Sequence, residues 1–315
     1  MKRLDGKVAL ITGAGSGGTG TAMAVRFAHE GARVALVARN SAGLEKTAEM
    51  VRKAGSAAIV LPCDLGDSEG GRDTLIARTE SALGPIDILV NNAVKNDIKR
   101  FVDYSLEELR SDGEVNLWGP MTLIQQAVRS MRAGERRGWI LNMSSMGAEL
   151  PPGPPFDSLK LSYQSALYAA MKGGMNAFSI YFAVEMLRYG ICVNTLAPQR
   201  SILTERMHNS KIVKDKSICE PLGTMAQAAL ELCSGNLDRL NGRLAFSLQL
   251  LVELGAPVYD IDGETLLDGW QPDDIVKAIQ YREDWTEKHM NWSHPYEFHR
   301  PQTPYPEVLR RSSHR

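Results

Sequence analysis

Val8-Ala9-Leu10-Ile11-Thr12-Gly13-Ala14-Gly15-Ser16-Gly17-Gly18-Thr19-Gly20 is the stretch that decides the fold of this 315-residue chain. Val8–Thr12 is a short, β-branched run of the kind that is buried on both faces of a sheet. Five glycines then fall within nine residues, and a helical stretch runs from about Thr21 to His29. A glycine-rich turn alone is a weak signal. Placed after a strand and before a helix it is much stronger, because glycines let the backbone approach a pyrophosphate. The helix N-terminus beyond supplies free N–H groups and a favourable dipole.

Outward from that turn, strand and helix alternate. Arg33–Ala38, Ala58–Leu61, Ile86–Val90, Trp139–Met143 and Ile191–Leu196 read as further buried strands. Leu44–Lys53, Arg72–Leu83, Leu106–Met131 and Tyr168–Leu187 read as helices between them. Continuous apolar strands separated by helices predict an α/β fold: one Rossmann-type, doubly wound parallel sheet of about seven strands, helices on both faces, crossovers right-handed. Residues 1–255 form the sheet domain, with a Pro/Gly-rich insertion at about 148–163 (ELPPGPPFDSLK at its centre) that must be a loop. Residues 256–315 form a C-terminal extension, partly irregular, with a short helix expected from about Asp273.

Composition narrows the function classes. Lys and Arg number 36 against 37 for Asp and Glu, so no strong field points to nucleic acid or an anionic membrane. No apolar run approaches the roughly 20 residues of a membrane span, and Met1–Lys7 lacks the pattern of a secretory signal. A cytoplasmic protein is expected. Cys63, Cys192, Cys219 and Cys233 have no metal-ligand spacing, and His289, His294 and His299 lack carboxylate or thiol support, so no metal is expected.

The end of the second strand selects the nucleotide. An NAD enzyme usually places an acid there, about 20 residues beyond the turn. Leu36-Val37-Ala38-Arg39-Asn40 has none, and the Arg39 guanidinium suits a 2′-phosphate. NADP(H) is favoured, with NAD(H) the alternative.

Several further motifs resemble those of the short-chain dehydrogenases/reductases, over roughly Leu4 to Thr204. They are Cys63-Asp64-Leu65, Ile88-Leu89-Val90-Asn91-Asn92-Ala93, Val115-Asn116-Leu117, Asn142-Met143-Ser144-Ser145, Tyr168-Ala169-Ala170-Met171-Lys172 and Val193-Asn194-Thr195-Leu196-Ala197-Pro198. The segment Met225–Arg243 looks like the end of that family's last helix leading into its seventh strand, with a narrower likeness to hydroxysteroid-dehydrogenase-like members. The resemblance implies a dinucleotide held by Gly13, Ser16, Gly17, Gly18, Gly20, Arg39, Asp64, Leu65, Asn91, Ala93, Tyr168, Lys172, Pro198 and Thr204. It implies catalysis by Asn116, Ser145, Tyr168 and Lys172, with Ser145, Tyr163 and Tyr168 facing a small carbonyl or alcohol substrate. It also implies a homodimer or homotetramer, since helices such as Tyr168–Leu187 pair between subunits in that family.

The chemistry needs these residue types. Carbonyl reduction takes a hydride at carbon and a proton at oxygen. A free phenol, with pKa near 10, releases its proton too reluctantly at neutral pH, and a nearby ammonium favours the phenolate. Tyr168 and Lys172 are four apart and share a helix face. Ser145 would polarise the carbonyl, and Asn116 would bind a water linking Lys172 to solvent. In the oxidising direction Tyr168 is the base.

Four departures from the family pattern stand out. The glycine turn is one residue longer than usual, leaving Gly17 and Gly18 as rival middle glycines. Val94 follows Ala93 where glycine is frequent, and Gln199 follows Pro198 likewise. Ser145 and Tyr168 stand 23 positions apart, and the extra length is the Pro-rich loop, expected to shape the substrate cleft. Two other functions stay open: an epimerase or dehydratase that keeps its nucleotide, and a catalytically silent nucleotide sensor.

Overall fold

The computed structural model describes residues 2–67, 71–97, 99–149, 165–209, 216, 219–237 and 239–278. Seven parallel strands form one sheet in the order β3-β2-β1-β4-β5-β6-β7. They are β1 Val8–Thr12, β2 Arg33–Ala38, β3 Ala58–Pro62, β4 Ile88–Asn91, β5 Gly138–Met143, β6 Ile191–Ala197 and β7 Leu244–Phe246. The helices are α1 Thr19–His29, α2 Ser41–Lys53, α3 Leu75–Leu83, α4 Leu106–Gly113, α5 Gly119–Ala133, α6 Ala166–Met186, α7 Glu205–Asn209, α8 Leu222–Ser234 and α9 Ser247–Leu254.

The period of two along each strand divides the apolar residues between two cores. Ala9, Ile11, Val34, Leu36, Ile88 and Val90 face one layer, with Met23 and Phe27 of α1 and Met225 and Leu232 of α8. Val8, Leu10, Ala35, Val37 and Leu89 face the other, with Leu75 of α3, Leu123 and Ala127 of α5 and Met186 of α6. Both faces of β1, β4 and β6 are therefore dry, which is why these strands read as unbroken apolar runs.

Some element bounds differ from expectation. The stretch Leu106–Met131 is not one helix. A π turn, Glu114–Trp118, separates α4 from α5. Strand four begins at Ile88 rather than Ile86; just before it, the Asp87 side chain is engaged with Lys7 and with the N–H of Val8. Arg72–Thr74 forms a 3₁₀ turn ahead of α3. Residues 256–278 lie against the α1/α8 layer: Val258 and Ile275 are buried in that core, and Leu267 and Trp270 pack on it. The chain is helical over 272–278.

Candidate active site

The strand order reverses between β1 and β4, since α1 leaves to one face and α5 lies on the other. In open parallel sheets the crevice at such a point, beyond the C-terminal strand ends, takes ligands. The glycine turn opens on it. A Cβ on Gly20 would stand 2.5 Å from the carbonyl oxygen of Gly13, and one on Gly13 would stand 2.9 Å from Cα of Ala93. These positions exclude any side chain. Gly17 and Gly18 have separate tasks: Gly17 adopts φ +67°, a left-handed conformation, and Gly18 is the N-cap of α1. No side chain caps that helix and its first turn holds no acid. Its N-terminal N–H groups and dipole thus remain available for an anion. Ser16 is exposed beside them. The cradle fits a dinucleotide pyrophosphate.

Three side chains tie the turn to β4. Thr12 Oγ1 accepts the N–H groups of Asn92 (2.9 Å) and Ala93 (3.0 Å), and Asn92 Nδ2 donates to the Thr12 carbonyl at 2.9 Å. Thr19 donates to Asn92 Oδ1 at 2.7 Å. Asn91, by contrast, points into the sheet, where its Nδ2 donates to Asn142 Oδ1 at 2.8 Å. Its side chain joins β4 to β5. Arg39 lies exposed at the end of β2, its Nη1 3.9 Å from Oδ2 of Asp64. The other Asp64 oxygen accepts the N–H of Gly66, and Leu65 is buried.

Beyond β5 and on α6 the reactive side chains converge. Ser145 Oγ accepts the N–H of Gly147 at 3.0 Å and is hydrogen-bonded with the hydroxyl of Tyr168. Burial pushes the Tyr168 phenol up from its ordinary value, and the Ser145 bond pulls the other way. Lys172 is buried, and its Nζ donates to the Met143 carbonyl at 2.6 Å. The same Nζ lies 5.7 Å from the centre of the Tyr168 ring. Burial pulls the Lys172 ammonium down to about 8. Tyr163 and the Pro-rich loop, residues 150–164, lie outside the described residues, as do His289, His294 and His299.

Asn116 sits in the π turn, buried. Its Nδ2 donates to the carbonyls of Lys95 (2.7 Å) and Asp112 (3.0 Å), and its Oδ1 accepts the N–H of Lys95 at 3.2 Å. Both amide hydrogens are thus engaged within the protein. Pro198 is half-buried just past β6. Thr204 caps α7, its Oγ1 accepting the N–H of Met207 at 3.1 Å, and its methyl lies 3.6 Å from where a Cβ of Gly18 would be. Thr204 therefore lies against the glycine turn.

Sequence reasoning did not find Lys95, Asp112 or Glu220, which grip the loops around this crevice. Their only local signals are a lysine directly after the Asn91–Val94 stretch and a Glu-Pro pair ahead of α8. Among the described residues no cluster of three or more His, Cys, Asp or Glu is placed to hold a metal. No helix among them is long and apolar enough to cross a membrane.

Comparison with known proteins agrees with this architecture. The family model described as short chain dehydrogenase matches residues 7–211. D-threitol dehydrogenase of Mycolicibacterium smegmatis is 36% identical over 255 residues, 76% of this chain and 90% of that protein. Sorbitol dehydrogenase of Cereibacter sphaeroides is 34% identical over 196 residues, 62% of this chain and 71% of that one. The crystal structure of a metagenomic short-chain oxidoreductase in complex with NADP superposes with a TM-score of 0.61 at 27% identity, covering 75% of this chain and 94% of that chain. With the glycine cradle, the seven-stranded parallel sheet and a family match over most of the sheet, the chain belongs to the short-chain dehydrogenases/reductases, an oxidoreductase family that uses NAD(P).

Proposed function

We propose that this enzyme prefers NADP(H) and interconverts a ketone or aldehyde with an alcohol, with Tyr168 as the acid and base. The observation that carries this is the grouping of Tyr168, Ser145 and Lys172: a phenol hydrogen-bonded to a serine, with a buried amine 5.7 Å from its ring. The bound nicotinamide dinucleotide supplies or takes up the hydride. In reduction Tyr168 delivers its proton to the carbonyl oxygen while Ser145 donates a hydrogen bond to the same oxygen. Lys172, held by Met143, keeps positive charge beside the phenol and favours its ionised form, countering the burial that raises it. Asn116 fixes the π turn against Lys95 and holds the water that links Lys172 to solvent.

Arg39 and the lack of an acid at the end of β2 support NADP(H) over NAD(H). The polyol names of two relatives and the NADP in one structural neighbour are consistent with an alcohol–carbonyl couple on a small substrate. Exposed Trp118, Tyr181 and Val184 on and beside α5 and α6 support a homodimer or homotetramer.

The test is a screen of ketones, aldehydes and alcohols with NADPH or NADP, read at the NADPH absorbance band. Tyr168→Phe should cut turnover of any active substrate about 10²–10⁴-fold at saturating dinucleotide. A Tyr168→Phe enzyme that turns over at the wild-type rate would refute the assignment. Chemistry with no net NADPH change would point to an epimerase or dehydratase.

A further inference from the structure

Glu220 is fully buried, and nothing in the proposed chemistry uses it. Its Oε1 accepts the backbone N–H groups of Gln199 and Arg200, each at 2.7 Å. Its Oε2 accepts the hydroxyls of Ser247 (2.6 Å) and Thr224 (2.9 Å). Its own N–H donates to the Ser201 carbonyl at 2.9 Å, and its carbonyl accepts the N–H of Leu203 at 2.8 Å. One residue thus joins the turn after β6, the first turn of α8 and the first residue of α9. Gln199 adds a second link, its Oε1 accepting the N–H of Gln249 at 2.9 Å. From the other side Arg200 lies over the ring of Trp270, 6.0 Å from its centre, so the C-terminal extension touches the same turn.

The turn so gripped leads directly to the crevice. Thr204 and Glu205 follow it. The Thr204 methyl lies 3.6 Å from a Cβ placed on Gly18, and a Glu205 carboxylate oxygen lies 3.8 Å from one placed on Gly17. No bond within residues 199–205 fixes that approach. The Thr204 N–H donates only to the nearby Ile202 carbonyl, whereas Glu220 provides four of the contacts that anchor this segment to the body of the protein.

We propose that Glu220 is a positioning residue that holds segment 199–205 over the glycine turn, so that dinucleotide binding, and not proton transfer, depends on it. The proposal rests on the reading that the glycine turn holds the dinucleotide. The chemistry of the grip makes a sharp distinction between substitutions. Oε1 must accept, because both its partners are backbone N–H groups. Oε2 faces only hydroxyls, which can accept as readily as they donate. A glutamine in place of Glu220 keeps nearly all of the grip: its oxygen takes the two N–H groups, its amide nitrogen donates to Ser247 and Thr224, and the Thr224 hydroxyl turns to the Pro221 carbonyl 2.8 Å away, so that only the Ser247 proton loses its acceptor. A leucine removes the acceptor from all four: the Arg200 N–H and the Ser247 hydroxyl lose it outright, while the Gln199 N–H falls back on Ser247 Oγ at 3.2 Å and the Thr224 hydroxyl on the Pro221 carbonyl at 2.8 Å.

The full chain is compared as wild type, Glu220→Gln and Glu220→Leu, by NADPH titration, steady-state kinetics with varied NADPH, and amide hydrogen exchange without dinucleotide. Glu220→Gln should match wild type. Glu220→Leu should raise the dissociation constant and KM for NADPH roughly tenfold or more, the effect of one or two lost buried acceptors. Its kcat at saturating NADPH should stay near wild type, and the amides of Gln199, Arg200 and Leu203 should lose protection. If Glu220→Leu does not fold by circular dichroism, a Thr224→Val/Ser247→Ala variant removes both Oε2 partners, and with Ser247 the second acceptor of the Gln199 N–H, and should shift KM the same way. Unchanged NADPH affinity with lost protection, a fall in kcat without a change in KM, or a Glu220→Gln variant as impaired as Glu220→Leu would each overturn the proposal. A wild-type protein that binds neither NADPH nor NADH would instead overturn the dinucleotide reading beneath it, whatever the exchange at residues 199–203 shows.

Discussion

The Lys95 ammonium stands 2.9 Å from Oδ1 of Asp112, and Asn116 bonds to the backbone of both residues. The result is a closed ring around the π turn: side chain to side chain in one direction, amide to backbone in the other. Asp112 is 1% exposed, whereas the Lys95 side chain keeps 30% of its surface in solvent. The Asp112 bond holds the Lys95 ammonium above the usual lysine range. Removing one member of such a pair strands a buried charge and costs about 3–5 kcal/mol, while replacing both by apolar groups can be near neutral. Lys95→Met should therefore lower the unfolding free energy by about 3 kcal/mol, and Lys95→Met/Asp112→Leu should restore much of it. Urea denaturation of the two variants checks this. A double variant as unstable as the single one would show that the pair itself, and not the stranded carboxylate, carries the stability.

Lys172 makes stability depend on pH in a definite direction. Burial pulls its folded value down to about 8 from an ordinary 10.5. Between those values the unfolded chain holds a proton that the native state has released, so the unfolding free energy rises with pH. Below about 8 the native protein carries the full penalty of a buried charge; by about 10.5 that penalty is gone. Tyr168, pushed up from 10.0, acts in the opposite sense only above its ordinary value. The dinucleotide-free enzyme should thus gain on the order of 3 kcal/mol across the alkaline window. Denaturation at a series of pH values tests it, and Lys172→Met should flatten the slope. A wild-type slope equal to that of Lys172→Met would mean the amine stays charged in the folded protein.

The strands were the most legible part of the sequence because burial on both faces leaves no alternation to misread. Val8–Thr12 and Arg33–Ala38 are bounded as the apolar runs are. The π turn was not legible, since apolar spacing carries on through Glu114–Trp118 with only a one-residue change of phase. The nearest clue is Gly119, where a Cβ would come 2.7 Å from the Glu114 carbonyl. Ser145, Tyr168 and Lys172 could be singled out because their order and residue types form a motif, and the fold does bring them together. Glu220 and its partners could not. Gln199, Thr224 and Ser247 are ordinary polar residues scattered over three elements, and only tertiary packing gives them one acceptor. The extension beyond Gly255 lost its alternation in sequence yet contributes Val258 and Ile275 to the main core, because two apolar side chains are enough to anchor an irregular segment.

Arg39 and Asp64 set up a competition that cofactor kinetics can read. Their side chains, 77% and 47% exposed, stand 3.9 Å apart, a separation at which a surface pair contributes little. A 2′-phosphate offers Arg39 a bidentate, charge-assisted partner worth more than that pair. Asp64→Asn should therefore raise the preference for NADPH over NADH by a few-fold. Arg39→Asp should reverse it, with a loss in kcat/KM for NADPH of roughly 10–100-fold, the range of a charged hydrogen bond. Comparing kcat/KM for the two dinucleotides across the three proteins decides the matter. A wild-type enzyme that prefers NADH, or an Arg39→Asp enzyme with an unchanged ratio, would remove Arg39 from cofactor selection.

The C-terminal segment should prove part of the folding unit. Val258 and Ile275 are 0% and 2% exposed, in the same core as Phe27 and Met225. Gln271 pins the segment to itself: its Nε2 donates to the carbonyls of Val258 and Leu267, and its Oε1 accepts the Val258 N–H. The carbonyl of Tyr259 lies so close to Gly223 that a Cβ there would collide with it, which locks the segment to the start of α8. Truncating a buried isoleucine to alanine costs about 2–5 kcal/mol. Ile275→Ala should fall in that range by chemical denaturation. A chain ending at Gly255 should lose more, since it uncovers the α1/α8 core along its whole edge and releases Trp270 from Arg200. Gel filtration of that shortened chain would then report aggregation or unfolding, whatever the oligomeric state of the intact enzyme. A shortened chain that keeps the melting temperature of the intact one would show that the extension rests on a core already complete without it.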